Sequence, residues 1–383
     1  MPATPQVEGI VEPGFEKVAD AFAENFTDRG DSGAACAVYL GGVPVVDLWA
    51  GTTARGPWTR DTTSVLFSVS KGVLTVLLLM AAERGQLDLD APVATYWPEF
   101  AAAGKHAVTV RQVLAHQAGL IAPERDLTVA DLAAWHPAAD TLAGQAPLWT
   151  PGTGFAYHAI TIGFLAGEIL RRATGSRPAQ FLAEHVTGPL KLDMNYGADP
   201  ADPKLAPIGT QLPTGDPAVA AALVVAAGDP LLLARVMGMG GAFDGLDLFN
   251  TVNTADFLGH ESPGANLVSN ARSLARLYAA TVTEVDGIRL LRPETVRDAR
   301  VEQSAGTPFF GPSTGVRWGT GFMTNWPGRE MLGPGSFGHD GAGGQLGFAH
   351  PELQIGFGYQ TIRPGGIPDD RAEALCRALR ACL

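Results

Sequence analysis

The sequence predicts an α+β protein, with one antiparallel sheet flanked by terminal helices and a mostly helical lobe inserted into it. Three observations carry this. Strand-like segments lie near both ends of the chain, and a long alanine-rich stretch of helical character, from about Gly85 to about Gly259, separates them. Helical patterns also precede the first strands and follow the last. At ~100–200 residues per domain, 383 residues allow two or three domains or one composite domain. Joining the first and last segments into one sheet favours a single domain over 1–383. Its α/β lobe would run from about 1–66 and 265–383, and its helical lobe from about 67–264. A binding cleft is expected between the lobes.

The elements follow in order. Pro13 to Phe26 brings Phe15, Val18, Phe22 and Phe26 near one helical face. Ala34–Leu40 and Val43–Ala50 read as strands, and Gly41-Gly42 between them is a hairpin signal. Gly51–Asp61 is polar and turn-rich. Lys71–Arg84 reads as a buried helix ended by Gly85. Val110–His116 is a short helix, Thr161–Thr174 a stronger one closed by Gly175, and Pro178–His185 another. Asp199–Asp216 is rich in Pro, Asp and Gly and reads as loop. Asn270–Ala280 is a helix with Asn270 as its N-cap. Trp318–Asn325, Ser336–Asp340, Gln345–Ala349 and Gln354–Thr361 are short strands between glycine-rich turns. Asp369–Cys382 closes the chain as a helix, with Leu375 and Leu379 apolar.

Composition narrows the function. Hydrophobic residues make up 46% and charged residues 17%, enough for a sizeable core, which excludes bulk disorder. The net charge of -12 repels phosphate backbones, so no nucleic-acid partner is expected. Cys36, Cys376 and Cys382 form no CxxC pair and no zinc spacing. The histidines show no H-E-x-x-H, so neither a metal nor a cofactor is expected. The first residues have no basic and apolar leader pattern. The most apolar run, Val73 to Ala82, falls short of the ~20 residues of a membrane span. These features predict a cytoplasmic protein without membrane contact. Nothing in the sequence fixes an oligomeric state.

The segment Phe67-Ser68-Val69-Ser70-Lys71-Gly72 carries the chemistry. Lysine is scarce, limited to positions 17, 71, 105, 191 and 204, yet one stands three residues after Ser68. If Ser68 opens the helix, Lys71 lies one turn on, on the same face. An alcohol is a weak nucleophile until a base takes its proton. A lysine can do that when burial lowers its pKa. The helix N-terminus also offers free N–H groups to a developing oxyanion. Ser70 lacks the spacing. In Pro151-Gly152-Thr153-Gly154-Phe155-Ala156-Tyr157-His158-Ala159, a turn delivers Tyr157 just before a helix. Near cations a tyrosine pKa can fall, and the group can relay protons; a core aromatic with a bonded hydroxyl fits the segment equally. Phe337-Gly338-His339-Asp340-Gly341-Ala342-Gly343-Gly344 allows close backbone approach to a ligand, or is a tight hairpin with a surface histidine. Gly311-Pro312-Ser313-Thr314-Gly315 matches G-x-S-x-G, but a loop rather than a strand precedes Ser313. The aromatic residues Trp135, Trp149, Phe155, Phe309, Phe310 and Trp318 suit either a cleft or a core.

Ser-x-x-Lys, then Tyr157, then a His-x-Gly strand resembles the motif order of the serine β-lactamase and penicillin-binding-protein superfamily, most like the class C-like family VIII carboxylesterases. Thr109–Leu120, with His116 in a structural turn, Pro151-Gly152-Thr153 and Gly264–Asn270 are similar to supporting segments of that family, so the likeness runs from about Phe67 to Phe348. The resemblance implies a β-lactamase/DD-peptidase-like fold and a serine hydrolase working through a covalent acyl-enzyme. Ser68 would be acylated, and Lys71 and Tyr157 would share base and acid duty. The N–H groups of Ser68 and Ala342 would form the oxyanion hole, with His339 and Gly341 against the substrate.

Two departures bear on substrate. The family's lactamases have Tyr-x-Asn, whose asparagine grips an amide; here Ala159 takes that place. They also have Lys-Thr-Gly, whose lysine supports a carboxylate; here His339-Asp340-Gly341 stands instead. Both changes favour a small-molecule ester over a β-lactam. Acyl transfer to an alcohol or amine, amide hydrolysis of the D-aminopeptidase or weak β-lactamase kind, and an acylated sensor are the alternatives.

Overall fold

The computed structural model describes residues 5–213, 228–366 and 369–383. Its main sheet has eight strands. Along the main path they run Glu8–Val11, Val43–Thr53, Gly33–Leu40, Ile355–Thr361, Leu346–His350, Phe337–Asp340 and Met323–Thr324, with Gly56–Pro57 pairing off the path. Every pairing is antiparallel. The two ends of the chain meet mid-sheet, where Cys36 lies opposite Tyr359 and Val38 opposite Phe357. The expected α+β sheet with terminal helices is therefore present. The Gly41-Gly42 hairpin forms as expected, both residues having positive φ of 56° and 85°.

Side-chain alternation divides the sheet into two different faces. Cys36, Val38, Phe357 and Tyr359 pack beneath the Glu16–Thr27 and Arg371–Arg380 helices, against Phe22 and Leu375. Burying such a side chain contributes about 1.5–3 kcal/mol. The opposite face of Ile355–Thr361 carries Gly356 and Gly358. A Cβ on Gly356 would overlap the Ala279 amide and the Ala275 carbonyl, and one on Gly358 would overlap the Ala271 carbonyl. The Ala271–Val282 helix therefore lies directly on the sheet backbone. Asn270 caps that helix, its side chain accepting from the Ser273 N–H at 2.8 Å.

The Val69–Glu83 helix is buried continuously from Val69 to Ala81. A helix apolar on all sides belongs in a core. It packs between the Phe337–Asp340 strand and the Thr161–Thr174 helix. Gly72 makes the first approach possible: a Cβ there would meet the Tyr278 hydroxyl and come 3.4 Å from His339 Cβ. Left-handed glycines follow both helices where the sequence put them, Gly85 at φ 72° and Gly175 at φ 83°. No helix among the described residues is long and apolar enough to cross a membrane.

Several elements differ from expectation. Of Trp318–Asn325 only Met323–Thr324 is strand, because Gly321, at φ 77°, turns the chain and Gly319 N–H bonds the Phe322 carbonyl at 2.9 Å. The Pro178 helix ends at Leu182 and widens into a π turn over Ala183–Thr187. The second strand extends to Thr53 into the region read as turns. No helix or strand forms from Asp199 to Pro213, and residues 214–216 of that loop lie outside the described residues. Two of the unread features concern the sheets. One is the edge strand Glu8–Val11. The other is a small sheet in which Leu267–Ser269 pairs with both Ser64–Val65 and Met194–Tyr196. That small sheet, continued by a Leu66 N–H to Leu267 carbonyl bond of 2.8 Å, fixes the approach to Ser68.

Candidate active site

Phe67 turns the chain from the small sheet into the central helix. Its φ of 48° is left-handed, a conformation that costs a non-glycine residue about 1–3 kcal/mol. Burial and an edge contact with the Phe249 ring at 5.8 Å hold it there. Ser68 follows at the N-cap, and its side chain makes no capping bond, which leaves the hydroxyl free for other partners. Ser70 is committed elsewhere. Its buried hydroxyl accepts from the Leu267 N–H at 2.9 Å and donates to the Phe67 carbonyl.

Lys71 is buried, and its amine is 3.0 Å from Ser68 Oγ and 2.6 Å from the Gly264 carbonyl oxygen. It lies 4.8 Å from the centre of the Tyr157 ring. Burial pulls its pKa from 10.5 down to about 7, and the Asp340 charge opposes that fall. Near neutral pH a large share of the amine is therefore unprotonated beside the hydroxyl, a state an exposed lysine reaches only in strong alkali.

Tyr157 is held by rings. Trp318 stacks on it at 5.4 Å, and His116 meets it edgewise at 5.1 Å. Of the two directions open to its pKa the rise prevails: burial raises it, and a hydrogen bond with Ser68 opposes only part of the rise. Tyr157 is therefore a neutral phenol, suited to donating a proton.

His339 is buried, which corrects the surface-histidine alternative. Its Nδ1 bonds the Asp340 carbonyl at 2.7 Å, while Nε2 has no partner among the described residues. Burial first, and repulsion from Lys71 second, push its pKa to about 4, so the ring is neutral. Beyond it, a Cβ on Gly341 would stand 2.6 Å from the Leu66 carbonyl oxygen, which sets this turn against the approach to Ser68. Gln345 supports the turn. Its side-chain oxygen accepts from Gly343 N–H at 3.0 Å, and its amide donates to the Thr361 carbonyl at 2.8 Å. The amides of Ser68 and Ala342 donate to no acceptor among the described residues.

Ser68, Tyr157, His339, Gly341 and Ala342 line one cavity of about 500 Å³. Its other walls are mostly apolar. Phe155, Phe310 and Trp318, left unassigned in the sequence, are among them, and Ala159 also faces the space. Trp135 is core instead, donating to buried Glu168 at 2.8 Å, and Trp149 stacks on Phe309 at 5.1 Å. Ser313 lies in an irregular loop with no helix after it, so it forms no nucleophile elbow. Sequence reasoning missed the Gly264 carbonyl, Gln345 and Arg329, which pairs with Asp340 at 3.4 Å on the cavity wall. A backbone acceptor leaves no residue-type signal. The flanking glycines of the hairpin were the available clue to Gln345.

Known proteins match this chain over nearly all its length. The Beta-lactamase family model matches residues 18–381. The "Esterase/beta-lactamase LipL" of Mycobacterium tuberculosis is 35% identical over 362 residues, covering 92% of this chain and 82% of that protein. The crystal structure of a family VIII carboxylesterase is 33% identical, covers 99% of this chain and 100% of its own, and superposes with a TM-score of 0.86. EstA from Arthrobacter nitroguajacolicus Rue61a is 33% identical, covers 99% of this chain and 98% of its own, and gives a TM-score of 0.83. By fold and by sequence, this chain belongs to the beta-lactamase family.

Proposed function

We propose that the protein is a serine carboxylesterase that cleaves small-molecule esters through an acyl-enzyme on Ser68. The observation that carries this reading is the Lys71 amine, with a pKa of about 7, standing 3.0 Å from the Ser68 hydroxyl. Lys71 takes the hydroxyl proton as Ser68 Oγ bonds to the ester carbonyl carbon. The Ser68 and Ala342 amides receive the oxyanion. As the carbon–oxygen bond to the alcohol breaks, Tyr157 gives its proton to the leaving oxygen and regains one from Lys71. Water then attacks the acyl-serine, its proton passes to Lys71, and Ser68 leaves as the hydroxyl after taking that proton back. In this reading the chain is one domain, with α/β parts at about 1–66 and 265–383 and a helical part at about 67–264, and the reaction lies between them.

Ester preference rests on the cavity. Ala159 offers no amide to grip a peptide-like group, and neutral His339 offers no charge to a carboxylate. Relatives named as esterases agree with it. The test is hydrolysis of p-nitrophenyl butyrate, run beside intact-mass detection of a butyryl adduct. Ser68→Ala should lose about three to four orders of magnitude in kcat and form no adduct. Near-native turnover by that variant would sink the reading.

A further inference from the structure

We propose that His116 is a positioning residue, which sets the Tyr157 hydroxyl by holding the chain on both sides of it. The inference rests on the proton-transfer role proposed above for Tyr157. The Ala156 N–H donates to the His116 carbonyl at 3.2 Å, and the His158 N–H donates to His116 Nδ1 at 3.2 Å. One residue thus accepts from the neighbours immediately before and after Tyr157. The His116 ring supplies a third contact, its edge against the Tyr157 ring at 5.1 Å, while Trp318 packs against it at 4.5 Å.

This arrangement demands a particular chemical state. Nδ1 accepts only when it carries no proton, so the clamp needs a neutral His116 ring with its proton on Nε2. The surroundings support that state. Burial is the main cause, and His158, Lys71 and His339 add repulsion, all driving the His116 pKa well below its ordinary value. The backbone is also unusual, with a left-handed φ of 62°. His158 adds a second anchor. Its Nδ1 bonds the Ala156 carbonyl at 2.8 Å, and its Nε2 accepts from the Leu120 N–H at 3.1 Å. The segment carrying Tyr157 is thereby tied at four points to the 116–120 turn and to itself. A turn serving only the fold has no need to grip both peptide neighbours of one side chain.

The test crosses His116 variants with Tyr157→Phe and reads kcat and KM on p-nitrophenyl butyrate. A displacement of about 1 Å at a reacting group costs up to about 100-fold in rate. His116→Ala should therefore lower kcat about 10- to 100-fold and leave KM within about threefold. In the Tyr157→Phe background the same change should cost less than about threefold, because the group it positions is gone. Asn tolerates the left-handed backbone and places an acceptor where Nδ1 stands, whereas Gln carries its acceptor one bond further out. His116→Asn should keep most of kcat and His116→Gln should lose it, a comparison that holds even if the alanine variant does not fold. Equal kcat for Asn and Gln, or multiplicative losses for His116→Ala and Tyr157→Phe, would overturn the clamp. Such losses in a protein that still forms the Ser68 adduct would leave the esterase reading standing.

Discussion

The side chain of Lys71 reaches past the Ser68 hydroxyl to the Gly264 carbonyl oxygen, 193 positions along the chain, at 2.6 Å. That contact holds the amine in place whether or not it carries a proton to donate to Ser68. It also keeps a basic group buried, and the first two predictions follow from it.

Activity should depend on pH through this amine. Lys71 acts as a base only when unprotonated, and its pKa is about 7. kcat/KM should therefore fall as pH drops through about 7 and level off above about pH 8. A profile of kcat/KM from pH 5 to 9 checks this. A flat line across pH 6 to 8 would remove Lys71 from the base role.

The buried amine also carries a cost in stability. Its folded pKa of about 7 lies below its ordinary 10.5, so the unfolded chain binds the proton more tightly. By linkage, the penalty is complete below about pH 7 and fades as pH rises toward 10.5. Lys71→Met should abolish turnover yet raise stability by about 1–2 kcal/mol at pH 6. The gain should shrink at pH 9. Urea denaturation at the two pH values measures both, and an unchanged gain would contradict the linkage.

Packing of the sheet against the Ala271–Val282 helix has no slack. Gly356→Val would drive a side chain into the Ala275 and Ala279 backbone. It should cost about 3 kcal/mol or more, or prevent folding. A loss below about 1 kcal/mol in urea titration would mean that the helix moves away freely.

How far the sequence showed all this depends on the range of the interaction. Local signals read well: Asn270 caps its helix, Gly85 and Gly175 follow theirs, and Gly41-Gly42 makes its hairpin. Gln354–Thr361 read as a strand, but nothing in it named what covers its glycine face. Non-local pairing was legible only as the joining of the first and last segments into one sheet, not strand by strand. Leu267–Ser269 bonds to strands roughly 70 and 200 positions away, and no feature of those short apolar runs names the partner. Trp318–Asn325 misled because its aromatic and β-branched residues fit a strand, while Gly319 and Gly321 let the chain double back. In the site, Ser68 and Lys71 stood out by residue type and spacing, and Tyr157 through the family resemblance. The direction of the Tyr157 pKa did not, since it depends on burial that only packing creates.

Gln345 supplies a prediction on the oxyanion side. Gln345→Leu would leave the Gly343 N–H and the Thr361 carbonyl without these partners. It should cost about 1–3 kcal/mol in stability. kcat should fall about 10- to 100-fold as the Ala342 amide loses its support, with Ser68 acylation slowed in stopped-flow traces. Lower stability with unchanged acylation would show that this turn does not set the amide.

The pairing of Gly33–Leu40 with Ile355–Thr361 has a consequence in time. Asp31 and Tyr359, bonded beside that ladder, are 328 positions apart. A chain leaving the ribosome from its N-terminus makes Ser68 and Lys71 early. The strand bearing His339 already has Met323–Thr324 on one side, but it gains Leu346–His350 and its link to the first hairpin only when about the last tenth of the chain delivers residues 346 to 361. Closing so long a loop is slow, and until then the first hairpin has an open edge. On the proposed mechanism, the nascent protein therefore carries its nucleophile before the Ala342 amide is in place, and hydrolysis awaits the closing of the sheet.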